Sequence, residues 1–318
     1  MSKGLALITG GAGFIGSHVA ELLLSRGYEV DVVDNLTLGS RDWVPDGARF
    51  IEGSILDLPL MRELCSGKDG VFHLAAMSRV LPSIGAGPES TLFSAEQNIT
   101  GTLNVLVAAA EAKVGKFVYS ASSTYYGQTP APHREDGPLG AHTPYGVSKY
   151  VGELYAKQFS AMYDLPTVCL RYFQVYGPRC PKTGPYAMVS SIFIDQWMRG
   201  EPLTIQGTGE QKRDFVHVYD VAYANLRAFE STNSEARAGD VINVGRGESF
   251  SIKHLADLIS DDQVHVSARA FDMPETRADV SKCWRVLGWV PVIHFVGGTL
   301  ALKKAAEATG GPIADWTK

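Results

Sequence analysis

The chain has 318 residues, 45% of them hydrophobic, enough to bury one large core or two modest ones. A formal net charge of −5 argues against nucleic acid or an anionic membrane as the main partner, so an anionic ligand has to be held by local arginines. With no apolar run near the ~18 residues of a membrane span, no leader pattern, and four cysteines forming no CxxC pair, the expected location is the reducing cytoplasm.

The first predicted element is an apolar strand over 5–8, followed by the turn Thr9-Gly10-Gly11-Ala12-Gly13-Phe14-Ile15-Gly16 and a helical pattern over 14–26. A glycine turn between strand and helix lets backbone approach a pyrophosphate, which the N–H groups of the helix N-terminus then receive. The spacing is GxxGxxG, not GxGxxG, and taken alone it also suits a plain connector. The second strand, 29–33, ends at Asp34, 18 residues after Gly16. That is the place of an acid accepting the adenosine ribose hydroxyls, and a carboxylate there repels a 2′-phosphate, so NAD is favoured over NADP. Arg41 reads as a solvated loop charge.

Further strands are predicted at 49–52, 70–74, 116–120 and 167–171, with long helical patterns over 91–113 and 144–163. Alternating strands and helices imply an α/β fold with a doubly wound parallel sheet. From about residue 178 the segments shorten and glycine-rich loops appear, which suggests a dinucleotide-binding domain over 1–177 and a smaller substrate-facing lobe over 178–318, some of it returning to the sheet. The ligand belongs in the cleft at the carboxyl ends of the strands. A closing helix is predicted over 295–308. Cys65 and Cys169 read as core residues, whereas Cys180, after a Gly-Pro-Arg loop, is expected to be exposed.

Tyr145 and Lys149 stand four apart on one helix face. A nearby ammonium and the charge of a bound nicotinamide favour the phenolate, turning a phenol of ordinary pKa ~10 into a usable base. By itself the pair also suits an ordinary amphipathic helix start, since a YxxxK spacing is common by chance. Residues 120–127 supply a hydroxyl cluster at a strand end, with Ser122 able to bridge a substrate oxygen and the tyrosine; serines there also simply form turns. The order of glycine turn, ribose acid, hydroxyl cluster and YxxxK separates these readings.

The ordered segments TGGAGFIGSH, DVVDN, VFHLAA, SASSTYYG, YGVSK, RYFQVYGPR, GTGEQKRDFVHVYDV, NVG and RADVSKCWRVLGW span nearly the whole chain. Through them the chain resembles the extended short-chain dehydrogenase/reductase superfamily and, within it, the nucleotide-sugar epimerases and dehydratases. The resemblance implies a seven-stranded Rossmann sheet, a firmly held NAD and a carboxyl-terminal lobe gripping a sugar nucleotide. By position it implies Tyr145 as base, Lys149 as its partner, and Ser122 and Thr124 as hydroxyls near the sugar O4. It places the cofactor against Gly10, Gly13, Phe14, Ile15, Gly16, Asp34, Asn35, Ser54, Ile55, Leu74, Ala75 and Ala76, and against Tyr145 and Lys149, the lysine holding the nicotinamide ribose. Arg213 and Arg269 match the diphosphate arginines, Asp272 the carboxylate for the nucleotide ribose, and Gln174 and Thr276 further substrate positions; no metal is implied.

Three residues depart from the family pattern. Gln174 replaces a substrate-contacting asparagine, Ser54 replaces an aspartate that receives the adenine amino group, and Phe271 stands where glycine is common. Reaction type is read after Ser122. Dehydratases and uronate decarboxylases carry carboxylates there, whereas Ser123 and Thr124 follow here, and Glu135 and Asp136 read as loop-capping residues. The resemblance is therefore closest to UDP-hexose 4-epimerases, with a dehydratase of unusual acid and base residues, a UDP-glucuronate 4-epimerase or a non-catalytic sensor as alternatives. Thr276, at the gatekeeper position four residues beyond Asp272, implies room for an N-acetyl group. Leu81 stands where uronate epimerases carry arginine, with Arg79 two residues off that register. A homodimer through a four-helix bundle is expected, using Leu103, Leu106, Val107, Ala110, Leu154, Phe159 and Met162, unless these side chains pack on the sheet instead.

Overall fold

A computed structural model describes residues 2–78, 80–84, 87–182, 187–268 and 273–309. Its centre is a sheet built from β1 (Leu5–Thr9), β2 (Glu29–Asp34), β3 (Arg49–Glu52), β4 (Gly70–His73), β5 (Lys116–Ser122) and β6 (Thr167–Tyr172). Past residue 172 come β7 (Gln174–Tyr176), β8 (Leu203–Gln206), β9 (Lys212–Arg213), β10 (Phe215–His217), β11 (Ala238–Val244), β12 (Phe250–Ser251) and β13 (Gln263–Val266). The main sheet has seven strands in the order β11-β6-β5-β4-β1-β2-β3, every pair parallel. Parallel strands covered on both faces read as continuous apolar runs, which is why the first six were visible in the sequence.

The helices are α1 (Phe14–Ser25), α2 (Leu58–Cys65), α3 (Val80–Ile84), α4 (Glu89–Ala95), α5 (Gly101–Glu111), α6 (Pro144–Tyr163), α7 (Val189–Met198) and α8 (Val218–Glu230), followed by shorter helices and a closing one at Phe295–Thr309. One face of the sheet packs Ile8, Val32, Phe72 and Val168 against Val19 and Leu23 of α1 and Leu226 of α8. The other packs Leu7, Val71, Phe117 and Tyr119 against Val105 and Leu106 of α5 and Ala156 of α6. A third cluster, with Phe193, Leu203, Ile205, Phe215, Leu255 and Phe295, holds together the two-stranded sheets β10-β7, β12-β9 and β13-β8. β1 lies between β2 and β4, so the chain winds outward in both directions from it, and the crevice at that reversal is where such folds bind ligands.

Three readings need correction. The helical pattern over 91–113 is α4 and α5 joined through one π turn, Glu96–Thr100, which shifts the side-chain register. Cys180 is buried, not exposed, because the 177–180 loop folds inward, with Arg179 reaching Ser17 and Glu21 of α1. Leu106 and Phe159, offered for a dimer face, are buried in the core, whereas Leu154 and Met162 are exposed. Among the described residues no helix is long and apolar enough to cross a membrane.

Candidate active site

A cavity of about 1500 Å³ runs across the carboxyl ends of the strands. At one end it is lined by the predicted cofactor residues Gly10, Gly13, Phe14, Ile15, Gly16, Asp34, Asn35, Ser54, Ile55, Leu74, Ala75 and Ala76. Gly10 has φ +71°, and a Cβ there would sit 2.6 Å from the Ala75 nitrogen; one on Gly16 would sit 2.2 Å from the Gly10 carbonyl. These two glycines bring turn, helix and the next loop into backbone contact. Gly13 caps α1 without a side-chain bond, leaving the helix N-terminus to the cavity. The Asp34 carboxylate accepts from Ala12 N (3.1 Å) and Leu36 N (2.9 Å). Burial pushes its carboxyl up, against the pull of those two N–H groups. Ser54 Oγ accepts from Leu56 N at 3.2 Å, and Arg41 is exposed over the Phe50 ring, outside the cavity lining.

At the centre, β5 delivers Ser122 and α6 delivers Tyr145 and Lys149 into the same cavity. The start of α6 is held by Thr143, whose hydroxyl accepts from Gly146 N, with Pro144 at the first helical position. Ser83 Oγ of α3 accepts from Tyr145 N at 3.1 Å. Ser122 Oγ lies 2.9 Å from Thr124 Oγ1 and also accepts from Thr124 N, so the hydroxyl pair is one turn-bound unit. Lys149 is 2% exposed, and burial pushes its ammonium down to about 7.

Sequence reasoning missed a chain of buried polar groups behind this centre. Ala75 N donates to Thr9 Oγ1, which lies 2.7 Å from His73 Nδ1; His73 Nε2 lies 3.0 Å from Thr102 Oγ1, and Thr102 donates to the Asn98 carbonyl. With the Thr102 proton committed, Nε2–H donates; burial pushes the ring down to about 3, so it is neutral and Nδ1 accepts from Thr9. The Asn98 side chain, on the π turn, accepts from Met77 N (2.8 Å) and donates to Met77 O (3.0 Å) and Ser148 Oγ (2.9 Å). It ties the cofactor loop to the helix carrying Tyr145 and Lys149. A histidine inside an apolar strand and an asparagine inside a helical pattern were the available signals.

Toward the second lobe the cavity is lined by Gln174, Arg213 and Thr276. Arg213 Nη1 donates to the carbonyls of Lys212 and Met273, both at 2.7 Å. Thr276 Oγ1 accepts from Asp214 N at 3.4 Å, and Gln174 N donates to the Asp214 carbonyl. Asp214 is buried and accepts from Ala278, Arg246 and Gly247 N–H groups; burial still pushes it up to about 6. Arg79, Arg269, Phe271 and Asp272 lie outside the described residues. Leu81 lines the cavity. Glu135 does not line it; its carboxylate accepts from the N–H of Asn243 within β11. Among the described residues, Asp34 is the one acid lining the cavity.

Residues 6–245 of this chain match the model of the NAD dependent epimerase/dehydratase family. The chain belongs to that family. Relatives within the family differ in reaction. A UDP-N-acetyl-alpha-D-glucosaminuronate decarboxylase of Bacillus cytotoxicus is 34% identical, over 93% of this chain and 95% of that one. A UDP-glucose 4-epimerase of Thermotoga maritima, solved with UDP-glucose, superposes with TM-score 0.89 at 35% identity, covering 96% of this chain and 99% of that one. A UDP-N-acetylglucosamine 4-epimerase of Methanobrevibacter ruminantium, in complex with UDP-N-acetylmuramic acid, gives TM-score 0.90 at 32% identity, covering 97% and 100%. The family is NAD-dependent. This chain's residues fit the cofactor: an uncapped helix N-terminus beside close-packed glycines suits the pyrophosphate, and Asp34 suits the ribose hydroxyls.

Proposed function

We propose that this family member is a UDP-hexose 4-epimerase that also admits UDP-N-acetylhexosamines. The observation that carries the reading is the lining of the cavity: beside Ser122, Thr124, Tyr145 and Lys149 it holds no described carboxylate except Asp34 at the adenosine end. Eliminating water from a sugar needs an acid and a base in addition to the tyrosine, whereas epimerisation at C4 needs only one proton moved reversibly at one hydroxyl.

When bound, the nicotinamide supplies a hydride acceptor and donor at C4. Tyr145 takes and returns the C4 hydroxyl proton, through or beside Ser122, with Thr124 orienting the Ser122 hydroxyl. Lys149 favours the phenolate by its charge. Arg213, its fork aimed by two backbone carbonyls, receives the diphosphate, with Gln174 beside it. Arg269 and Asp272 complete the nucleotide grip in this reading. Thr276 leaves space for the N-acetyl group. Leu103, Val107 and Ala110 pack against the core, so a homodimer through a four-helix bundle rests on the exposed Leu154 and Met162; Leu154→Glu should then give monomers by light scattering.

The test is product analysis with UDP-GlcNAc, UDP-glucose and UDP-glucuronate supplied separately. Appearance of the 4-epimer at unchanged mass, best with UDP-GlcNAc or UDP-glucose, is the expected result. Loss of a water mass would move the protein to the dehydratases, and turnover of UDP-glucuronate alone would overturn the reading of Leu81.

A further inference from the structure

Lys149 poses a physical problem that the reaction scheme leaves open. Its ammonium is desolvated, and among the described residues no carboxylate pairs with it. What faces it is the Tyr119 ring, with Nζ 4.4 Å from the centroid. Tyr119 does not line the cavity; it is fully buried on β5 behind it. Its ring is held from several sides. The hydroxyl donates to the backbone carbonyl of Lys149 itself (3.1 Å), and His73 stacks on the ring at 5.9 Å. One helical turn further along α6 stands Gly152, where a Cβ would come within 2.2 Å of the Tyr119 hydroxyl. Ring, carbonyl and glycine thus lock β5 to the turn of α6 that carries Lys149.

We propose that Tyr119 is a positioning residue for Lys149, its ring face holding the ammonium charged and aimed at the cavity in place of a counter-carboxylate. A cation over the face of an aromatic ring is stabilised most where water is excluded. The other groups near Lys149 are Tyr145 on its own helix, His73 on β4, which is neutral, and the buried Cys169 on β6, whose thiol burial keeps protonated. Neither His73 nor Cys169 supplies a negative charge at neutral pH, and the Tyr145 phenolate is the charge that Lys149 itself has to favour. Without the ring, desolvation alone would act on Lys149, and its charge would be lost at lower pH.

The inference rests on the reading of Tyr145 and Lys149 as the proton-moving pair. The experiment replaces Tyr119 by Phe, by Leu, and by phenylalanines carrying one, two or three ring fluorines, which drain the ring face while keeping its shape. Two readouts are taken in the NAD-loaded protein: titration of Lys149 followed by NMR of its ε-carbon, and the pH profiles of kcat and KM for UDP-GlcNAc. Tyr119→Phe keeps the ring face and should leave the Lys149 titration where it is in the parent, its cost falling on stability through the lost bond to the Lys149 carbonyl. Tyr119→Leu should lower the Lys149 titration and the basic limb of kcat by about one pH unit, with kcat at neutral pH down about fivefold and KM unchanged. The fluorine series should move both stepwise, and it decides the matter if Tyr119→Leu fails to fold. A Lys149 titration that stays put across the fluorine series would overturn the proposal. A titration that moves while no variant, nor the parent, epimerises would leave the proposal standing and sink the reading of function instead.

Discussion

At the scale of single residues, Tyr145 carries the proposed chemistry and Thr276 the proposed selectivity. Removing the phenolic hydroxyl with Tyr145→Phe should cut kcat by about a hundredfold or more, while the thermal midpoint holds, since a general base contributes that much and the ring itself remains. Thr276→Tyr fills the space beside the Arg213 strand and should depress turnover of UDP-GlcNAc relative to UDP-glucose by about a hundredfold; paired kinetics on the two sugars checks it. The cavity residues of the first lobe were legible because each lies within a short segment whose chemistry is local: a turn, a strand end, a helix face. Cys180 was misread for the opposite reason. Its burial depends on Arg179 reaching back to Ser17 and Glu21 across about 160 residues of chain, a contact that no local pattern records.

At the scale of elements, strands were easier to read than helices. Strands buried on both faces announce themselves as apolar runs, and α6 announces itself through Thr143 and Pro144. The π turn at Glu96–Thr100 was invisible because an inserted residue leaves composition unchanged and alters only register. That register turns the Asn98 side chain inward to Met77 and Ser148. Asn98→Ala would leave the Met77 amide and carbonyl buried without partners, so a loss of about 2–3 kcal/mol is expected in urea unfolding. Activity should fall as well, because the cofactor loop and the catalytic helix lose their shared tie. A variant as stable as the parent would show that the π turn does not depend on this side chain.

At the scale of the whole molecule, buried histidines link stability to pH. Burial pushes His73 and His18 down to about 3 and His217 to about 4, from 6.5 when unfolded. Each is neutral when folded and takes up a proton on unfolding between those values. The unfolded state therefore binds more protons, and stability is fully present above about pH 6.5 and lost as pH falls toward 4. Urea midpoints measured between pH 7.5 and 4.5 should decline from near 6.5 onward; a flat response down to the carboxylate range would show these rings are not held neutral. The same buried His73 connects Thr9 to Thr102, so the acid loss should coincide with release of the cofactor.

The central claim is that hydrogen leaves C4 and returns to C4. Its most direct test supplies UDP-GlcNAc deuterated at C4 and locates the label in the product by NMR. The expected product is the 4-epimer with deuterium retained at C4 and none exchanged to solvent. Deuterium appearing at C6 with loss of water, or washed out while the epimer forms, would contradict it.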